Sequence, residues 1–325
     1  MNKLPLVTVV TASYNNINRI YKTMQSVCMQ NYSRIEYIIC DDASEVFPLD
    51  DIETYIKKNN NGNIINFIVL HNKTNVGTVK NINNAYRKAN GEILLPLSCG
   101  DCFFATNTVK LIVQRFLATG CKVLATSMIR YHGDFIPVEM VPHYDARTIL
   151  LNNNTSRKQY DSFITAHFHE MIAGCNLYIL KEVIEQYGYF DEKYDLWEDG
   201  PFLSKYLYND KIEFAYDIIS IWYETGGVSA KPFDYHSPRM RKDAILYAKT
   251  DAIKHINTFS FIDRRRIRYR YKRIVTGHTL KRFLLYFIYL PEVLHYLWYT
   301  KKWKNLNRND MEQIQKALIE KEQLI

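Results

Sequence analysis

At 325 residues, 47% hydrophobic and 23% charged, the chain can bury a large core as one domain or two and is too apolar to be disordered. Its net charge of +8 is local: Arg264–Arg282 holds nine Lys/Arg and no acid, so the remainder carries −1, which argues against a whole-protein nucleic-acid footprint. The six cysteines sit mostly in apolar runs and read as reduced, buried thiols; Cys99-Gly-Asp-Cys102 lacks the second ligand pair of a zinc site. No leader is read ahead of the first strand, so the cytosol is the expected compartment.

Leu6–Thr11 (LVTVVT) is β-branched and predicts a strand, and Ala12-Ser13-Tyr14-Asn15-Asn16 a polar break before a helix over Ile17–Gln30. Ile35–Cys40 predicts a second strand ending in Asp41-Asp42-Ala43-Ser44, followed by a helix over Asp51–Asn60 and a third strand over Ile64–Leu70. Asn75-Val76-Gly77 opens a helix over Thr78–Ala89. The apolar run from Ile93 to Leu97 predicts a buried fourth strand that stops at Ser98-Cys99-Gly100-Asp101. Strands and helices alternating across short polar joints predict an α/β fold with a doubly wound, mostly parallel sheet. Further on, the pattern predicts a helix over Thr106–Ala118 with Thr106 as its cap, a strand over Lys122–Arg130, and an irregular stretch from His132 to His169. It then predicts helices over Lys181–Tyr187 and Pro201–Tyr208 and a last strand over Phe214–Tyr223. From about Ser237 the chain turns helical and basic. Phe283–Tyr299 is apolar, but it is 17 residues long, contains Glu292 and His295 and is broken by Pro291, too short and polar to span a bilayer. Its basic flanks and its Tyr and Trp suit a membrane-surface segment, with a helical hairpin packed on its own domain or on another subunit as the alternative.

In a parallel sheet the stretches after strands one, two and four share the carboxyl edge, where open α/β sheets bind ligands. A nucleotide lying there would meet Tyr14 with its base, Asp42 as an acceptor for base or ribose, and Asp101 as carboxylate for a divalent metal on the diphosphate. Glu198-Asp199 supplies a carboxylate able to take a proton from an attacking hydroxyl. Singly each has a local use: Asp42 suits an Asx turn and Asp199 a helix N-cap ahead of Pro201. On one edge together they predict a site.

The order of these stretches resembles the inverting family 2 glycosyltransferases of the GT-A fold. The matching residues are Val7–Asn15 (VTVVTASYN), Ile38–Ser44 (IICDDAS), Asn75–Gly77 with Gly91-Glu92-Ile93, Ser98–Asp101, and Glu198-Asp199. The resemblance implies a Rossmann-like GT-A nucleotide-sugar domain over 1–235 and a helical basic/aromatic region over 236–325 for membrane-surface or oligomer contact. It implies transfer of a sugar from a nucleotide donor, most often UDP-linked, to a hydroxyl of a saccharide acceptor, lipid-linked in cell-surface glycan synthesis. In that pattern Asp199 is the general base with Glu198 beside it. Thr11, Ala12, Tyr14, Asp42, Asn75, Gly77 and Gly100 line the nucleotide, and Asp101 holds Mn²⁺ or Mg²⁺. Two departures stand out: Ser98-Cys99-Gly100-Asp101 keeps one acid of the common Asp-x-Asp-Asp, and Thr225 stands where a His is frequent, with His236 nearby as a candidate extra ligand. The alternative is a catalytically inactive protein of the same fold that binds a nucleotide or a partner. A nucleotidyltransferase is disfavoured because Ala12–Asn16 is neither Gly-rich nor basic, and nucleic-acid binding through Arg264–Arg273 by the acidic ligand edge. The expected location is the inner face of the cell membrane, reached peripherally through 264–304, with a homo-oligomer as a candidate assembly.

Overall fold

A computed structural model describes residues 4–152, 154–165, 172–226, 237–276, 280–304 and 306–322. Four parallel strands come first: β1 (Val7–Ser13), β2 (Ile35–Asp41), β3 (Ile64–His71) and β4 (Ile93–Pro96). Later come β5 (Cys102–Phe103), β6 (Val123–His132), β7 (Ile136–Val141), β8 (Leu177–Leu180) and β9 (Glu213–Glu224). They form one mixed sheet in the order β3-β2-β1-β4-β8-β6-β9-β5, with β7 on β6.

Every residue of β2 is buried, and six of the seven in β1, because both sheet faces are covered. Val7, Val9, Ile35, Tyr37 and Ile39 point to one face. Helices α1 (Ile20–Cys28) and α2 (Leu49–Asn59) cover it with Met24, Val27, Ile52 and Ile56. Val10, Ile38 and Cys40 point to the other face, covered by α3 (Thr78–Lys88) through Val79, Ile82 and Tyr86. The chain runs outward from β1 to β3 on one face, then crosses back on the other to β4. The gap between the carboxyl ends of β1 and β4 is therefore a topological switch point, the place where such sheets open a ligand crevice.

α4 (Thr108–Thr119) adds to the first face. The predicted Thr106 cap is not formed: Asn107 precedes the helix, and the Thr106 carbonyl instead accepts the Asn31 N–H. The stretch read as irregular holds a hairpin strand, β7, and two helices, α5 (Arg147–Leu151) and α6 (Ser156–Thr165). Their short length and interrupted pattern hid them, and the part at 166–171 lies outside the described residues. β8, also unpredicted, enters antiparallel between β4 and β6 ahead of α7 (Lys181–Gln186). Next comes α8 (Asp199–Asn209), packed on α6 across the second face.

The carboxy-terminal helices pack on this body. α9 (Pro238–Lys249) starts at Ser237, whose hydroxyl accepts the Met240 N–H, with Pro at its first position. α10 (Phe261–Thr276) buries Ile267 and Tyr271 in the second core. α11 (Leu280–Ile288) and α12 (Leu290–Lys304) hang from α10, and α13 (Asp310–Glu322) returns to β7. There Asp310 accepts from the Met140 and Tyr144 N–H groups and pairs with His143.

Glu36, on β2, is a buried internal clamp. Its carboxylate accepts from Thr8 Oγ1, Asn66 Nδ2, the Asn90 N–H and Asn90 Nδ2. Burial alone would raise its pKa, but these four bonds together hold it below the usual carboxylate range. Its contribution is thus present above about pH 4 and lost as pH falls through the lowered folded value. We expect Glu36→Ala to cost about 3 kcal/mol in urea unfolding at pH 7, with a smaller difference from wild type as the medium is acidified.

Candidate active site

The carboxyl edge is built by side chains that bond across loops. After β1, the Asn15 N–H donates to Ser44 Oγ, and Asn16 Nδ2 donates to the Cys99 carbonyl. These bonds tie the loop holding half-exposed Tyr14 to the loops after β2 and β4. Thr11 is turned into the core against Tyr37, and Ala12 packs on the second core.

Of the twin acids after β2, Asp41 is wholly internal: Ser13, Ser44 (hydroxyl and N–H) and His71 fill its two oxygens. Asp42 accepts the Val76 N–H and Asn72 Nδ2 on Oδ1 and the Gly77 N–H on Oδ2. An ionised carboxylate has about four acceptor positions, so one is left, on Oδ2. The same acid clamps the loop carrying Asn75, which donates to the Asp42 carbonyl and accepts from Arg239. Gly77 sits at φ +91°, and a Cβ there would lie 2.6 Å from the Asp195 carbonyl oxygen.

Asp101 is buried, and its two oxygens differ. Oδ1 accepts the Glu224 N–H at 2.9 Å; Oδ2 is buried with no hydrogen-bond partner. Burial, aided by the Glu224 charge, pushes its pKa up to about 8, against the Glu224 N–H and Lys22. The preceding Gly100 is pinned by Thr23 Oγ1, which accepts its N–H, and by the Tyr131 hydroxyl on its carbonyl. Glu224 pairs with Arg19 at 3.3 Å and Lys22 at 3.0 Å, so two cations flank the Asp101 corner. Sequence reasoning passed over Arg19, Lys22 and Glu224; the available signal was two bases three residues apart next to α1's first turn.

Glu198 and Asp199 stand at the start of α8. The turn before them is gripped by buried Asp243 of α9, which accepts the N–H groups of Asp195, Leu196 and Trp197 at 2.6–3.2 Å. Three consecutive amides on one carboxylate form an anion nest, here occupied by the protein itself. Asp243, missed in the sequence, is a positioning residue. Asp199 accepts the Gly200 N–H and further bonds from Trp197 and the Gly174 amide. Gly174 makes room for its neighbour: a Cβ there would lie 2.7 Å from Glu198 Oε1. Burial and then the Asp199 charge push Glu198 up to about 8, and burial raises Asp199 as well. Cys175 feels the charges of both Asp101 and Asp199, so the Gly174-Cys175 turn lies between the two acidic corners.

The structure therefore brings Tyr14, Asp42, Asn75, Gly77, Gly100, Asp101, Glu198 and Asp199 to one edge. His236 lies outside the described residues. Among the described residues no three His, Cys, Asp or Glu converge as a ready metal cage. All six cysteines are free thiols, and burial pushes Cys99 and Cys102 up to about 12, which is unlike a reactive redox pair. A cleft of about 610 Å³ opens elsewhere, beside Tyr187, Tyr208 and His255, and none of these acids lines it.

A doubly wound sheet with carboxylates at its switch point defines a ligand-binding edge shared by many enzyme classes, and similarity to known proteins narrows the class. The family model of glycosyl transferase family 2 matches residues 8–187, more than half of the chain, and the chain belongs to that family. It is 33% identical over 133 residues to the UDP-Glc:alpha-D-GlcNAc-diphosphoundecaprenol beta-1,3-glucosyltransferase WfaP of Escherichia coli, covering 41% of this chain and 49% of WfaP. It is 23% identical over 215 residues to an uncharacterized glycosyltransferase of Rickettsia typhi, covering 66% and 63%. The chain thus spans about half to just under two thirds of the length of these relatives. Among solved structures, S. aureus TarS 1-349 in complex with UDP superposes with a TM-score of 0.55 at 18% identity, covering 84% of this chain and 72% of that one. The mannosyltransferase PcManGT from Pyrobaculum calidifontis, in complex with GDP-Man and Mn²⁺, gives 0.57 at 14% identity, covering 94% and 86%. The fold is of the expected GT-A kind.

Replacing Asp243 should loosen the Glu198–Asp199 corner. Asp243→Ala strands three half-buried amides and should lower stability by about 2 kcal/mol in thermal or urea unfolding. Asp243→Asn, which keeps an acceptor, should recover at least half of that.

Proposed function

We propose that the chain is an inverting glycosyltransferase that moves a sugar from a nucleotide donor, UDP-linked, to a hydroxyl of a saccharide acceptor. The observation that carries the reading is the placement of two electrostatically strained acidic corners at one switch point: Asp101 with an unpartnered buried oxygen, and the mutually repelling Glu198–Asp199 pair. A protein that only binds a nucleotide has no use for the second corner.

In this mechanism Tyr14 packs on the base and Asp42 offers its remaining acceptor position to base or ribose. Thr11, Ala12, Asn75, Gly77 and Gly100 shape the floor through backbone and loop. Asp199 takes the proton from the acceptor hydroxyl as that oxygen attacks the anomeric carbon, the bond to the nucleotide diphosphate breaks on the opposite side, and configuration inverts. Glu198 raises the affinity of the pair for that proton. The unpaired Asp101 Oδ2 is the atom that would hold a divalent cation, Mn²⁺ or Mg²⁺, whose charge would offset that of the departing diphosphate. Arg19 and Lys22 bring fixed positive charge to the same corner.

The WfaP name includes a diphosphoundecaprenol acceptor, which supports a lipid-linked saccharide acceptor here, in cell-surface glycan assembly. Such an acceptor places the enzyme at the inner face of the cell membrane, associated peripherally. Residues 1–235 then carry the transfer, and 236–325 serve membrane or subunit contact.

A panel of UDP-sugars, read by thermal shift and by acceptor-dependent UDP release with and without Mn²⁺, tests the assignment. Wild type should be stabilised by one donor with metal. Asp101→Asn should lose the metal-dependent part, and Asp199→Asn should bind donor yet turn over about 10³-fold more slowly. No donor response in wild type would favour the inactive-binder alternative. In its pH profile, kcat/KM should fall on the acid side along a limb lying above the ordinary carboxylate range, because burial raises Asp199 and it must be ionised to act as base.

A further inference from the structure

α11 and α12 present an apolar surface that no other described residue covers. On α11, Leu280, Phe283, Leu284, Phe287 and Ile288 recur at the i, i+3, i+4, i+7, i+8 spacing of one helix face, and each is more than half exposed. α12 repeats the pattern with Leu290, Leu294, Leu297 and Trp298, again more than half exposed. No residue of α11 is buried. The inward side of the hairpin is instead tied by tyrosines, with Tyr289 buried against Tyr269, and by polar bonds. Buried Glu292 takes a two-pronged bond from Arg265, Arg265 also donates to the Ile288 carbonyl, and Arg273 donates to the Tyr296 hydroxyl. The basic helix α10 is thus largely a bracket, with Tyr269 and Tyr271 buried.

We propose that the α11–α12 hairpin is a docking element that lies in the headgroup region of an anionic phospholipid bilayer, its Phe/Leu/Trp stripe inserted and its terminal lysines on the lipid phosphates. This deepens the peripheral-association reading above by naming the element that seats. The two helices are about 14 and 22 Å long, short of the bilayer's apolar thickness of about 30 Å, and no helix among the described residues is long and apolar enough to cross a membrane. The hairpin therefore lies along the surface. Exposed Lys281 stands at one end of the stripe and exposed Lys301 and Lys302 at the other, with Trp298 under Lys302, the arrangement of an interfacial helix. Charge decides the occupant. Residues 261–304 hold twelve Lys/Arg against two acids, a net +10 in a chain of +8 overall. Two copies apposed through this face would bring like charges together, whereas an anionic lipid surface attracts them.

The test is co-sedimentation of the full chain with equimolar phosphatidylglycerol/phosphatidylcholine vesicles and with pure phosphatidylcholine vesicles. Wild type should pellet with the anionic vesicles, weakly with the neutral ones, and less as salt is raised. Phe283→Glu with Phe287→Glu should lower partitioning at least about tenfold, and so should Lys281→Glu with Lys301→Glu and Lys302→Glu. Both variants should keep the wild-type circular dichroism melt and the turnover of UDP-sugar on a water-soluble acceptor. Vesicle binding equal in wild type and both variants, or none in wild type, overturns the proposal. A wild-type dimer that Phe283→Glu with Phe287→Glu converts to monomer, with no vesicle binding, assigns the face to a second copy instead. Wild type that pellets as expected but turns over no donor upholds the docking element while refuting the transferase reading.

Discussion

A carboxylate removed from water must find donors, and the architecture of the ligand edge follows from where they come. Asp42 draws amides from the loop at 76–77, Asp243 from the turn at 195–197, and Asp101 a single amide from the end of β9. Each bond ties together segments separated by between 34 and 123 residues. Buried charge here is the clamp that sets the positions of loops which pack few apolar side chains of their own.

The clamps divide the acids into two groups. Asp41 and Asp243 are filled by the protein and shape the crevice. Asp101 is short of a donor on Oδ2, Glu198 stands against the Asp199 charge, and burial raises the proton affinity of all three. Strain of this kind is costly in a structural role and useful in a chemical one, since a ligand, a metal or an acceptor proton can relieve it. The two strained corners meet across the Gly174-Cys175 turn, where a larger residue than glycine would collide with Glu198.

The same separation appears at the carboxy terminus on a larger scale. α9, α10 and α13 are fastened to the body by Asp243, Tyr271 and Asp310 and complete its cores. α11 and α12 are fastened through polar groups and turn their apolar faces outward. A hairpin whose apolar stripe faces away from the body has its packing inverted relative to a soluble helix pair, and lysines stand at both ends of that stripe.

Much of this was legible in the sequence. The β-branched runs that end in Asp42 and Asp101 define strands and their exits through local chemistry, and the strand–helix alternation leaves a parallel, doubly wound sheet as the economical topology. The sequence pattern alone thus assigns Asp42 and Asp101 to one edge, and the break at Pro291 with Glu292 argues against a spanning helix. The short β7, α5 and α6 escaped because their periodicity is too brief to rise above the loop pattern, and β8 because four apolar residues fit a helix or a strand equally well. The donors were illegible for a different reason. Whether a carboxylate is satisfied or starved, and whether an apolar stripe is covered or bare, depends on residues distant in sequence that only the folded chain brings within bonding range. Composition and pattern determined the fold, the edge and its candidate acids; tertiary structure alone decided which of those acids are clamps, which are strained, and which helix face is left for a partner.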